Sequence, residues 1–258
     1  MRGRTLKGKM LTPVETGVCA GLGTAAAAGL AAGGWAYASL WPGSRIFGRA
    51  LTAPKRPGEL ALTFDDGPNP AWTPKLLDLL AEHNVRATFF MLGRHVQAEP
   101  ELARRIAAEG HVVGNHSWSH PNLSRNAAAR VREELACTQE MLEQIMGAPV
   151  RFFRPPYGAR RPVVFRIARE MGLEPVLWNA MTTDWRERSG VRIAKRLSGK
   201  IERAERCGFA GNIVLHDGNH RERSGDRGPS VEAAGLLMKH YGGTHRFVTV
   251  EEWVRSDT

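Results

Sequence analysis

Residues 60–68 read LALTFDDGP: a short apolar run, two adjacent carboxylates, then Gly67-Pro68. The run has the composition of a buried strand, and Gly-Pro marks the turn that ends it. Asp65 and Asp66 are harder to place. Neighbouring like charges repel, and a carboxylate buried without a partner is costly. Either both face water in an ordinary turn, or something positive lies among them.

Six further runs resemble the first: ATFFML (87–92), HVVGN (111–115), VRFF (150–153), EPVLWN (174–179), NIVL (212–215) and RFVTV (246–250). Between them lie six amphipathic stretches with helical periodicity, from TPKLLDLLAEH to SVEAAGLLMKHYG, several with Pro at the start or Gly past the end. Strands alternating with helices predict an α/β fold with a parallel sheet. About 200 residues of this pattern predict a distorted (β/α) barrel of about seven parallel strands.

The full chain has 258 residues and a formal charge of +10, mostly from arginine. That charge suits an anionic neighbourhood or a solvated arginine-rich face. No basic helix with interleaved aromatics appears, which argues against a nucleic-acid partner. Cys19, Cys137 and Cys207 show neither disulfide nor metal-type spacing. Cys137 and Cys207 read as small apolar residues of helices.

The N-terminus carries Arg2, Arg4, Lys7 and Lys9 ahead of an uncharged Ala/Gly-rich run from Thr16 to Ser44, with Trp35, Tyr37 and Trp41 near its end. Residues 1–41 are expected to be a basic flank and hydrophobic helix, acting as a signal-anchor or, with AYA at 36–38 as cleavage site, a signal peptide. The bulk of the chain would then be membrane-anchored facing the periplasm or cell exterior, or secreted. Residues 42–58 read as a linker, and 59–258 as the catalytic domain.

Polar clusters follow the strands. Asp65 and Asp66 come after the first, His116 and His120 in NHSWSH after the third, and Arg154 in RPPYG after the fourth. Asp184-Trp185 follow the fifth, and His216-Asp217 the sixth. In a parallel barrel all these ends share one face. On a helical turn His116 and His120 would project from one side, and two imidazoles with one carboxylate make an open catalytic metal site. Alone, an HxxxH pair is more often two surface histidines; beside DDGP it is not.

TFDDGP, HSWSH, RPPYG, DW and VLHDG, in this order, resemble the five motifs of the polysaccharide deacetylase family, also called the NodB homology domain or carbohydrate esterase family four. The resemblance spans Leu60 to about Val250. It implies that Asp66, His116 and His120 hold a divalent metal, zinc or else cobalt or another divalent ion. It implies Asp65 as general base, His216 as general acid oriented by Asp184, and Arg154 keeping Asp65 charged and aimed. Tyr157 would lend a backbone N–H to the oxyanion. Pro156, Tyr157, Trp118 and Trp185 are the candidate sugar contacts, with core or rim packing as the alternative for Trp118 and Tyr157. Val214 stands where the family has Leu, and Met181 where many members carry Asp; neither removes a ligand, base or acid.

The expected activity is metal-dependent removal of N-acetyl groups from amino sugars of a peptidoglycan- or chitin-like polymer. The alternatives are hydrolysis of another non-peptide C–N bond at the same site, or a non-catalytic carbohydrate-binding homologue. His83, His95, His240 and His245 read as surface or capping residues, and His111 as a strand start. His220, Arg221, Arg223 and Arg227 read as a solvated charged loop rather than groove lining.

Overall fold

The computed structural model describes residues 29–255. A helix spans 29–40 (α1) within the expected N-terminal segment 1–41, of which residues 1–28 lie outside the described residues. The body then runs β1 (Glu59–Asp65), α2 (Thr73–Glu82), β2 (Thr88–Met91), α3 (Gly93–Ala98), α4 (Pro100–Ala108) and β3 (Val112–Asn115). After these come α5 (Ala128–Met146), β4 (Phe152–Phe153), α6 (Pro162–Glu170), β5 (Glu174–Pro175) and β6 (Ala180–Met181). It ends with α7 (Gly190–Arg206), β7 (Gly211–His216), α8 (Gly228–Tyr241), β8 (Arg246–Phe247) and α9 (Val250–Arg255).

Every strand pair is parallel, in the order β5-β4-β3-β2-β1-β7-β6, with β8 beside the start of β1. β5 and β6 belong to one extended run, 174–181. Its first half pairs with β4 and its second with β7, so a single segment closes the curl between the two edges. EPVLWN was expected as one strand; it leaves β4 after Pro175 and reaches β7 only at Ala180. Residues 51–54 fill the wedge this opens. Leu51 bridges Val176, and the Thr52 and Pro54 carbonyls accept from Asn212 Nδ2 and the Ala210 N–H.

Strand alternation sorts the core. On β1, Leu60, Leu62 and Phe64 pack outward with helix residues such as Leu76, Leu80 and Leu237. The alternate positions, Ala61, Thr63 and Asp65, therefore face the barrel interior. Phe90, Phe152 and Val176 join Ala61 there, and Trp253 of α9 completes that cluster. The same parity turns Val214 and His216 inward while Ile213 and Leu215 pack outward. Register then brings the strand ends level, with Asp65 opposite His216 on β7 and Asn115 opposite Phe153 on β4.

The helices form where their apolar stripes predict. α7 starts at Ser189, whose Oγ accepts the Arg192 N–H, and buries Ile193, Ala194, Leu197 and Ile201. α5 ends at Gly147 with φ of 63°. Cys137 and Cys207 are exposed, not packed as small core residues.

Candidate active site

Asp65 reaches the interior by strand parity, and the positive partner anticipated for the DDGP stretch is there. Arg154, fully buried, donates from Nη1 to both Asp65 Oδ1 and Thr63 Oγ1 at 2.7 Å. Its guanidinium lies 4.1 Å from the Phe90 ring centroid. Burial pushes the Arg154 pKa down and Asp65 opposes that push.

Asp66 is aimed elsewhere by the turn. Its φ is 71°, the left-handed region, and its carbonyl is 2.9 Å from His95 Nδ1. Its Oδ1 lies 3.3 Å from His120 Nε2 and 3.6 Å from His116 Nε2, while Oδ2 is 3.5 Å from His220 Nδ1. Gly218 is required for this approach: a Cβ there would stand 1.9 Å from the Asp66 carbonyl oxygen.

The segment 116–120 is not the helical turn its spacing suggested. Ser117 and His120 are left-handed, and side chains satisfy the backbone instead of a helix ladder. Asn115 Oδ1 accepts the Ser117 N–H, and Glu134 accepts both the N–H and hydroxyl of Ser119. The imidazoles still converge, with ring centroids 5.1 Å apart.

The donor set fits a divalent cation. Ligand atoms of buried Asp66, His116 and His120 lie within 4.8 Å of one another. His116 Nδ1 donates to the Arg154 carbonyl at 2.7 Å, which leaves Nε2 to face Asp66. Burial holds the His120 pKa down at about 3, against the pull of Asp66. For Asp66, burial alone would raise the pKa, but His120, His220, His216 and His116 hold it far below the usual range. Two imidazole nitrogens and a carboxylate thus face one point, and Asp66 Oδ1 has no hydrogen-bond partner. A cation there relieves what would otherwise be repulsion.

Across the pocket, His216 Nδ1 is 2.9 Å from Asp184 Oδ1, and Asp184 Oδ2 accepts from the His216 N–H and the Ser230 hydroxyl. Burial would depress the His216 pKa, but Asp184, with Asp66 and Asp65 beyond it, carries it up to about 9. The ring is therefore protonated at neutral pH. Its neighbour Asp217 is pushed up to about 7, chiefly by burial, and accepts the Thr73 hydroxyl.

Asp65, Asp66, His116, His120 and His216 line one pocket of about 550 Å³ with Tyr157 and Trp185. Tyr157 is left-handed and half exposed, and its ring meets that of His120 edge to face with centroids 4.5 Å apart. Trp185, also exposed, lies edge-on to His216 at 5.0 Å. Pro155, not Pro156, lines the pocket, and Trp118 lies outside it, packed on Gly93.

Two residues read as bland belong to the site. His95 is buried under the Asp66 turn. His220 stacks on His120 at 4.2 Å, and its carbonyl accepts from Arg94. Both sit four residues beyond a strand's C-terminal end, after Met91 and His216. That placement was the available signal, and the absence of a surrounding motif hid it.

A family model described as polysaccharide deacetylase matches residues 52–176. A peptidoglycan-N-acetylglucosamine deacetylase of Bacillus cereus is 38% identical over 204 residues, covering 78% of this chain and 70% of its own. A chitooligosaccharide deacetylase of Azorhizobium caulinodans is 35% identical over 174 residues, 67% of this chain and 80% of its own. A crystallised peptidoglycan N-acetylglucosamine deacetylase superposes with a TM-score of 0.69 at 35% identity, covering 79% of this chain and 91% of that one.

Proposed function

The chain belongs to the polysaccharide deacetylase family, and on that premise we propose that it removes N-acetyl groups from amino sugars of a peptidoglycan- or chitin-like glycan, with Asp65 as general base and His216 as general acid. It is an enzyme of that class, a hydrolase of carbon–nitrogen bonds other than peptide bonds. The observation that carries the roles is the pairing of Asp65 with His216 on neighbouring strand ends, beside the Asp66–His116–His120 cluster.

A divalent ion such as zinc, held by Asp66, His116 and His120, would supply Lewis acidity toward water and the acetyl carbonyl. Asp65 Oδ1 is tied to Arg154, which leaves Oδ2 to take the proton of the attacking water. The Tyr157 N–H, turned by its left-handed backbone, would donate to the oxyanion. His216, held at Nδ1 by Asp184, would give its Nε2 proton to the amine nitrogen as the C–N bond breaks. The products are acetate and a free amino sugar. Trp185 and Tyr157, exposed at the pocket, would contact the sugar rings.

Acetate release from peptidoglycan and chitin oligomers, with Zn²⁺ or Co²⁺ added and then chelated, tests this reading. Release that stops on chelation and returns with metal is expected. No release from any of these N-acetylated glycans would overturn it.

We also propose that the N-terminal segment places this domain at the membrane, facing the cell exterior or periplasm. The basic flank and the uncharged run support this, as do exposed Leu30, Trp35 and Trp41 on and just after α1. Among the described residues no helix is long and apolar enough to cross a membrane.

A further inference from the structure

We infer that Arg186 and Arg221 form an anion subsite at the pocket mouth, so that the preferred glycan carries a carboxylate close to the acetamido group being hydrolysed. The inference rests on the deacetylase reading and adds to it the charge of the substrate. Both residues line the catalytic pocket and are exposed, and they come from different loops, one after β6 and one after β7. Arg186 directly follows Trp185, whose ring meets His216; Arg221 directly follows His220, whose ring stacks on His120. One guanidinium-bearing position thus adjoins a ring beside the proposed acid, and the other adjoins a ring beside the ligand cluster.

Of the three arginines lining the pocket, Arg227 donates to the Gly218 carbonyl, whereas Arg186 and Arg221 have no such partner. Nearby, Arg192 and Arg196 share Glu187, and Arg223 pairs with Glu99. Among the described residues no carboxylate lies within 4.0 Å of the Arg186 or Arg221 side chain, and Glu222 is paired with neither. The pocket's own carboxylates are committed, Asp65 to Arg154 and Asp66 to the histidines. An incoming anion therefore meets two uncompensated guanidinium groups, the planar donors best suited to a carboxylate. A neutral amino-sugar chain would leave their charge uncompensated.

The carboxylate could sit on the reacting sugar, as an ether-linked acid beside the acetamido carbon, or on a peptide attached to the chain. The test compares three substrates of equal length on the metal-loaded full chain. They are a neutral N-acetylglucosamine oligomer, an alternating glycan of N-acetylglucosamine and N-acetylmuramic acid, and that glycan with its peptide stems.

For the wild type, kcat/KM should favour the acidic glycans, and added salt should erode the preference. In R186Q/R221Q the ratio of acidic to neutral kcat/KM should fall about tenfold or more, mainly through KM. The stem-free arm shows which carboxylate is read. A ratio unmoved within about twofold overturns the subsite. If no substrate releases acetate, the reaction assignment fails instead. Calorimetric binding of the same glycans then decides the subsite: tighter binding of the acidic ones, abolished in R186Q/R221Q, supports it, and equal binding overturns it.

Discussion

Asp65 and Asp66 are adjacent in sequence yet serve different partners, because one completes a strand and the other begins a turn. Strand parity delivers Asp65 to Arg154, and a left-handed φ swings Asp66 toward the histidines. This separation makes the two roles separable by mutation. Asp65→Asn should keep bound metal near one equivalent by elemental analysis while acetate release drops about 10³-fold. Wild-type turnover in that variant would remove Asp65 as base.

His216 should show itself in the pH profile. A raised pKa means that the proton is kept to higher pH, so kcat should fall as pH rises through about 9. Asp184→Asn removes the charge that raises it, so this limb should move to lower pH, and an unmoved limb would exclude the pair. The motif residues were legible because their types and order are distinctive. His95 and His220 were not, because a lone histidine in a six-residue helix or a loop has no periodicity or partner in sequence to announce it.

At the scale of elements, each expected helix and each expected strand run has a counterpart, because the apolar stripes are long and well punctuated. Short pieces escaped. α3 has six residues, too few for a period to emerge, and it carries His95. RFVTV was expected as a strand through residue 250. Only Arg246–Phe247 pairs, because Glu252 Oε1 accepts the Thr249 N–H and starts α9.

The loop after β7 makes an equally local contact. Gly218 lies against the Asp66 turn with no room for a methyl group. Gly218→Ala should destabilise the fold by roughly 1–3 kcal/mol in urea unfolding. It should also weaken metal binding by about 10–100-fold, since the turn that aims Asp66 must shift. Unchanged metal affinity would show that the turn tolerates displacement.

For the whole molecule, the decisive junction is between α1 and the barrel. Arg160 is buried with no carboxylate partner among the described residues. Its guanidinium donates to the carbonyls of Ser39, Trp41, Ser44 and Gly158, and its N–H donates to Ser39 as well. A cation thus caps the C-terminal end of α1 and fastens it to the RPPYG loop that carries Tyr157. The sequence shows an arginine-rich stretch here but not which arginine is internal, because three of its four partner carbonyls lie more than a hundred residues away.

The junction has a consequence for placement of the enzyme. If the N-terminal segment stays in the bilayer, its end at Ser39–Ser44 ties the RPPYG loop to it through Arg160. If the segment is cleaved after Ala38, Ser39 remains docked through Arg160. Membrane fractionation with carbonate extraction, followed by N-terminal sequencing, separates these. The anchored reading expects the intact chain in the extracted membrane pellet. Soluble chain beginning at Ser39 would establish cleavage, and intact soluble chain in the cytosol would overturn both.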